Sequence, residues 1–442
     1  MKPFIVVQGP VATRSGYGNH TRDLVTSLIK ADKYDIQIVS LPWGACPMNA
    51  LKKDNLEHQE IEKRIARQNI NRQPDIFIQI SVPNEFQKIG KYNIGITAGI
   101  ETDAVSHEFI QGANNMDLIL ATSEHSKAGF EVVYDKLDEK TQQKVGDLKL
   151  EAAIEVLFEG ADLNVYKKTT EISEIIEEEL SMIKDDFCYL FVGHWLQGAV
   201  GHDRKDIGMM LKTICEAFKR KSSHNRPGVI LKTSHAGFSI IDRDQIMKKI
   251  QQIIEPYGNN APNIYLLHGD MTDEEMNSLY NHPKVKAMIS FTKGEGFGRP
   301  LLEFGLTGKP IIASGWSGQL DFLKPEHCTL LPGQLSEVHP SAQDKFILQG
   351  SKWFTVEYSY AAKVLQDCMQ NYKNYLKFSR KQIQYVKDNF SRDKMGERFV
   401  EIIDRGLSNV PQQVSLKLPK LKKTGANDSK KITLPKLKKV KV

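Results

Sequence analysis

At 442 residues the chain is too long for one ordinary hydrophobic core, and 40% apolar with 26% charged residues is the balance of a globular protein with two domains and appendages. Five scattered cysteines, Cys46, Cys188, Cys215, Cys328 and Cys368, make no CxxC or Cys/His spacing, which argues against a disulfide framework or a zinc site and predicts a reducing, cytoplasmic setting. The net charge of +6 is unevenly placed: residues 411–442 hold ten lysines and one acid, Asp428, or +9, leaving −3 for residues 1–410.

Residues 4–7 form the first apolar run, too short for a secretory leader and followed at once by Gly9 and Pro10. Similar β-branched runs at 36–39, 76–80, 94–97 and 118–121 predict buried strands, with amphipathic helices at 20–31 and 49–68 between them. The glutamate-rich stretch 167–184 predicts a solvated helix and connector. A second alternating series follows, with strands at 188–192, 228–232, 264–267, 287–290, 310–313 and 329–330. Two α/β units in tandem predict parallel sheets with helices on both faces and a ligand cleft between them. From about residue 360 the pattern is helical to 405, with a last long helix from 379. The expected domains are 1–180, 181–378, a returning helix at 379–410 and a disordered tail at 411–442, in which LPKLKK occurs twice. No run approaches the length of a membrane helix.

The strongest chemical signal is the stretch 293–305, KGEGFGRPLLEFG, which follows a strand and opens a helix. Glycines 294, 296 and 298 let backbone amides approach a ligand, and the helix start favours a diphosphate, though a tight packing turn would use the same residues. Glu295 and Glu303 resemble the Glu-x7-Glu signature of retaining GT-B glycosyltransferases of the GT4 type. Gly16 and Gly18 after the first strand, Gly160-Ala-Asp162 between the halves and Leu190-Phe-Val-Gly193 resemble the family's remaining landmarks in the right order. The resemblance spans most of residues 1–400. It implies two Rossmann-like domains facing a central cleft, with a nucleotide-sugar as cosubstrate and no cofactor or metal.

The resemblance also implies roles. Glu295 would hold the donor sugar, the Gly296, Phe297 and Gly298 amides the sugar or diphosphate, and Glu303 the ribose, while Gly16 and Gly18 approach the phosphates. Family members place an arginine just after Gly193; here His194 stands there, and Arg204 with Lys205 follows a longer loop, so the diphosphate role passes to Lys205 and Arg204, with Lys232 as a further cation. Glu101 and Asp103 fall where relatives place an active-site histidine, and either orient the acceptor or cap a helix starting near Val105. Residues 123–126 line the cleft or cap the next helix. Asp242 and Asp244 make a DxD, but ahead of a helical run at 245–254 they suit the first turn better than a metal.

No GxGxxG follows the first strand, which counts against an oxidoreductase. The acceptor stays open between a glycan, a lipid and a protein hydroxyl, with DNA bearing a hydroxymethylated pyrimidine, the acceptor of glucosylating phage enzymes, as the alternative. A non-catalytic polyanion-binding protein is the reading of another class, resting on the lysine-rich tail.

Overall fold

A computed structural model of the chain describes residues 2–138, 141, 143–235 and 237–410; the tail expected at 411–442 lies outside the described residues. The N-terminal half runs β1 (Phe4–Gly9), α1 (Gly16–Ala31), β2 (Asp35–Ser40), α2 (Leu56–Glu62), β3 (Ile76–Ile80), β4 (Tyr92–Thr97), α3 (His107–Ala113), β5 (Leu118–Ala121) and α4 (Glu124–Ala128). A hairpin, β6 (Tyr134–Leu137) and β7 (Lys144–Leu148), then leads to β8 (Ala153–Val156). The sheet order is β2-β1-β3-β4-β5-β8, parallel throughout. β3 is buried at all five positions, as expected of a strand covered on both faces.

The C-terminal half runs α5 (Glu174–Ser181), β9 (Cys188–Val192), α6 (Ile207–Phe218), β10 (Gly228–Lys232), α7 (Ile240–Ile254), β11 (Ile264–Leu267), α8 (Asp273–Asn281), β12 (Val285–Ser290), α9 (Arg299–Gly305), β13 (Ile311–Ser314) and β14 (Thr329–Leu331). Next come β15 (Gly333–Glu337), β16 (Lys352–Val356), α10 (Tyr358–Gln370), α11 (Tyr372–Asn389) and α12 (Arg392–Ser408). Its sheet, β11-β10-β9-β12-β13-β14, is again parallel, and β15 pairs with β16 as a separate antiparallel hairpin. The expected pair of Rossmann-like domains is therefore present.

Three expectations need correction. Only Leu56–Glu62 of the stretch 49–68 is helical. On one side the Ala50 amide donates to Ala12 O; on the other, the Ile38 amide donates to Arg64 O and the Ala66 amide to Ile38 O along the edge of β2, so the backbone is committed to the sheet. Residues 174–181 belong to the C-terminal domain, because Ile176 and Leu180 join a core with Leu279 and Tyr280 of α8. The closing helix is broken rather than continuous from 379: the Ala161 amide donates to Phe390 O, the Arg392 amide donates to Ala161 O, and Ser391 caps α12. At this crossing the two linkers pair. α11 remains on the C-terminal domain, whereas α12 buries Met395, Phe399, Ile402 and Ile403 against α1 and the first sheet. Among the described residues no helix is long and apolar enough to cross a membrane.

Candidate functional site

In the C-terminal sheet β9 lies between β10 and β12, so the chain order reverses there and a crevice opens at the carboxyl ends of β9 and β12. The loop after β9 carries Arg204 and Lys205, and the loop after β12 carries Glu295. Lys205 Nζ donates to Glu295 Oε1, and Arg204 Nη1 lies 3.2 Å from Glu295 Oε2 and 3.6 Å from Glu101. Burial alone would raise the Glu295 carboxyl, but Lys205 and Arg204 outweigh it and hold the group below its ordinary range. Burial conversely pulls the Lys205 ammonium down.

The glycine turn itself is pressed against the N-terminal domain. Gly298 sits at φ +97°, a left-handed conformation that opens α9 at little cost only for glycine. The Gly296 carbonyl accepts from Ser123 Oγ at 2.6 Å, Ser126 Oγ at 3.1 Å and Thr122 Oγ1 at 3.3 Å. The Ser123 hydroxyl also accepts from the Ser126 amide, so it caps α4 and docks the turn at once. The Phe297 ring is buried against Phe322 and Phe390, which leaves only its backbone for a ligand.

Glu303 is buried one turn into α9, where Arg299 Nε donates to its Oε1 at 2.9 Å and the Tyr280 hydroxyl lies 3.4 Å from Oε2. Burial pushes its carboxyl up to about 7 despite the arginine. Gly16 faces open space in a cleft of about 330 Å³, lined by Arg14 and Asp23 from the N-terminal side and by His194, Phe238 and Arg299 from the other. Gly18 instead packs beneath the Thr13 and Pro10 carbonyls. Lys232 donates to Gly269 O, and burial lowers it to about 8. Larger cavities of about 730 Å³ beside α6 and α7, about 780 Å³ against β1 to β3 and about 550 Å³ between β13, β14 and α11 lie away from these groups.

Asp103 and Glu101 part company. The Asp103 amide donates to Lys352 O at 2.9 Å, and its carboxylate accepts from the Lys352 amide at 2.7 Å, so it ties β16 to the N-terminal domain. Neither residue caps the following helix; Ser106 does, accepting from the Phe109 amide. Asp242 lies in the first turn of α7, which starts at Ile240 rather than 245, and its carboxylate accepts from His268 Nε2 and the His235 amide. Asp244 pairs with Arg243 at the surface. The sequence reading passed over Arg299 and Asp23, whose signal would have been an arginine directly inside the glycine motif.

No protein-family model and no curated protein matches the sequence. Among solved structures the chain is similar to Anabaena HepE in complex with UDP and glucose, at 13% identity over 90% of this chain and 99% of that chain, TM-score 0.57. It is similar to a glycosyltransferase from Rickettsia africae ESF-5, at 14% identity over 92% and 99%, TM-score 0.60. Sucrose-phosphate synthase from Thermosynechococcus elongatus matches at 12% identity over 92% and 100%, TM-score 0.59. The likeness extends over both domains, and the fold of the chain is GT-B.

Proposed function

We propose that the protein is a glycosyltransferase of the GT4 type that moves a hexosyl or pentosyl group from a nucleotide-sugar to an acceptor hydroxyl with retention at the anomeric carbon. The observation that carries this reading is Glu295 held between Lys205 and Arg204 at the crevice where the C-terminal sheet changes direction. The UDP and glucose bound by HepE are in keeping with it.

The pairing gives donor binding a physical order. An incoming diphosphate offers Lys205 and Arg204 more negative charge than one carboxylate does, so the two cations turn to it and Glu295 is released to accept from sugar hydroxyls. Glu303 takes the ribose, and Gly16 lets the backbone approach the donor. Lys205 and Arg204 then carry the charge that develops on the leaving diphosphate, which is chiefly electrostatic catalysis with positioning. On this reading the side-chain cations suffice without a metal, and activity persists in EDTA. Glu101, which shares Arg204, faces the acceptor side; Asp103 ties the domains together, and Lys232 supports the neighbouring loop.

The test is mass spectrometry of the purified protein with UDP-, GDP- and ADP-sugars against glycan, lipid, protein and hydroxymethylated-DNA acceptors. One donor should be consumed, and Lys205→Ala should slow its use by about thirty- to a hundred-and-fifty-fold, the about 2–3 kcal/mol of transition-state stabilisation of a lost charged hydrogen bond. Undiminished transfer by the Lys205→Ala protein would sink the assignment. The DNA acceptor is favoured over the others only by the +9 charge of residues 411–442.

A further inference from the structure

Arg299 is the first residue of α9 and bonds to both domains. Its Nε holds Glu303 Oε1 at 2.9 Å on its own helix, while its Nη1 lies 2.8 Å from Asp23 Oδ2 on α1 and 4.0 Å from Glu159 in the linker. Asp23 is shared: its other oxygen lies 3.8 Å from Arg392 at the start of α12, and Arg392 also binds Glu57 and Asp162 at 3.0 Å. Asp23, Glu159 and Glu303 are 7%, 7% and 5% exposed, so this network is withdrawn from water. Buried ion pairs are costly to assemble and make a poor general adhesive. A planar guanidinium can serve two carboxylates along two edges in one fixed orientation, which a lysine cannot do.

We propose that Arg299 is a positioning residue that couples closure of the two domains to recognition of the donor ribose by Glu303. This rests on the reading of Glu303 given above. When the domains are closed, Asp23 fixes one edge of the guanidinium, and the other edge fixes Glu303 Oε1, leaving the Oε2 side, beside the Tyr280 hydroxyl, for a ribose hydroxyl. When α1 moves away, Arg299 loses its anchor and the carboxylate loses its register. The ribose is therefore read best in the closed arrangement, and a bound ribose in turn favours closure.

Calorimetry with the ribo and 2′-deoxy forms of UDP, GDP and ADP tests this. The wild-type protein should prefer the ribo form of its nucleotide by about ten-fold or more, the loss of one hydrogen bond to a charged group. Glu303→Ala should remove the preference. Asp23→Asn, which keeps size and an acceptor oxygen, and Arg299→Lys, which keeps the charge, should each shrink it by about three-fold or more. They perturb one contact from opposite domains, so agreement between them separates the coupling from a folding defect in either. Asp23→Asn should have no effect on the ratio when added to Glu303→Ala. The coupling is refuted if Glu303→Ala erases the preference while Asp23→Asn and Arg299→Lys preserve it. If Glu303→Ala itself preserves it, the ribose assignment fails, and the coupling falls with it.

Discussion

Replacing Gly296 by alanine probes whether the glycine turn works by docking on the opposite domain. A Cβ built at Gly296 lies 1.5 Å from Ala98 O and 2.7 Å from its carbonyl carbon, where real Cβ atoms stay beyond 3.0 Å, so the turn must withdraw by about 1.5 Å. Gly296 and Ala98 belong to different domains, and the withdrawal opens the cleft instead of unpacking a core. It breaks the bonds to the Gly296 carbonyl from Ser123, Ser126 and Thr122. At about 1 kcal/mol net each, the closed arrangement loses about 3 kcal/mol, or roughly a hundred-fold in population. Small-angle scattering should report a larger radius of gyration for Gly296→Ala, and transfer assays a turnover lower by about two orders of magnitude, with thermal unfolding little changed. Gly146→Ala, in β7 and outside the donor cleft, is the control, because nothing lies within 4 Å of its Cβ. A Gly296→Ala protein with wild-type radius and turnover would refute the reasoning.

Burial raises the Glu159 carboxyl from 4.5 to about 7, so the folded state holds a proton across that window that the unfolded chain releases, and stability falls as pH rises through it. Glu159→Gln should match wild type near pH 4 and exceed it above pH 7 by at most about 3 kcal/mol; thermal melts at the two ends check this, and an equal gain at both would exclude the carboxyl as its source. Asp103→Asn should retain turnover of wild-type order, since the carboxylate serves the Lys352 amide; a loss of several orders in kcat would return it to the chemistry. Phe346, on the loop between β15 and β16, packs 5.0 Å from Phe109 of the N-terminal domain, and Phe346→Ala should raise the donor KM while lowering stability by only about 1 kcal/mol, read by donor titration and melting.

The strands, the two-domain plan and the glycine turn were legible because each is written in a local pattern. Buried parallel strands such as β3 are written as short runs rich in β-branched residues, and the turn at Gly298 needs a residue that tolerates a left-handed backbone. Glu295 and Glu303 stood out for the same reason, as charged groups at fixed spacing around that turn. What the sequence could not specify was which groups meet across the cleft. Asp103 bonds Lys352 some 249 positions away, and Arg299 bonds Asp23 at a separation of 276, so neither partner can be read from any window of neighbouring residues. The break between α11 and α12 belongs to the same class: residues 379–405 read as one long helix, and the interruption at Phe390 arises because Ala161 takes the backbone bonds on either side of it. Local propensity sets an element's type, but long-range hydrogen bonds outbid it wherever two distant segments must each satisfy their backbone polar groups in the same buried place.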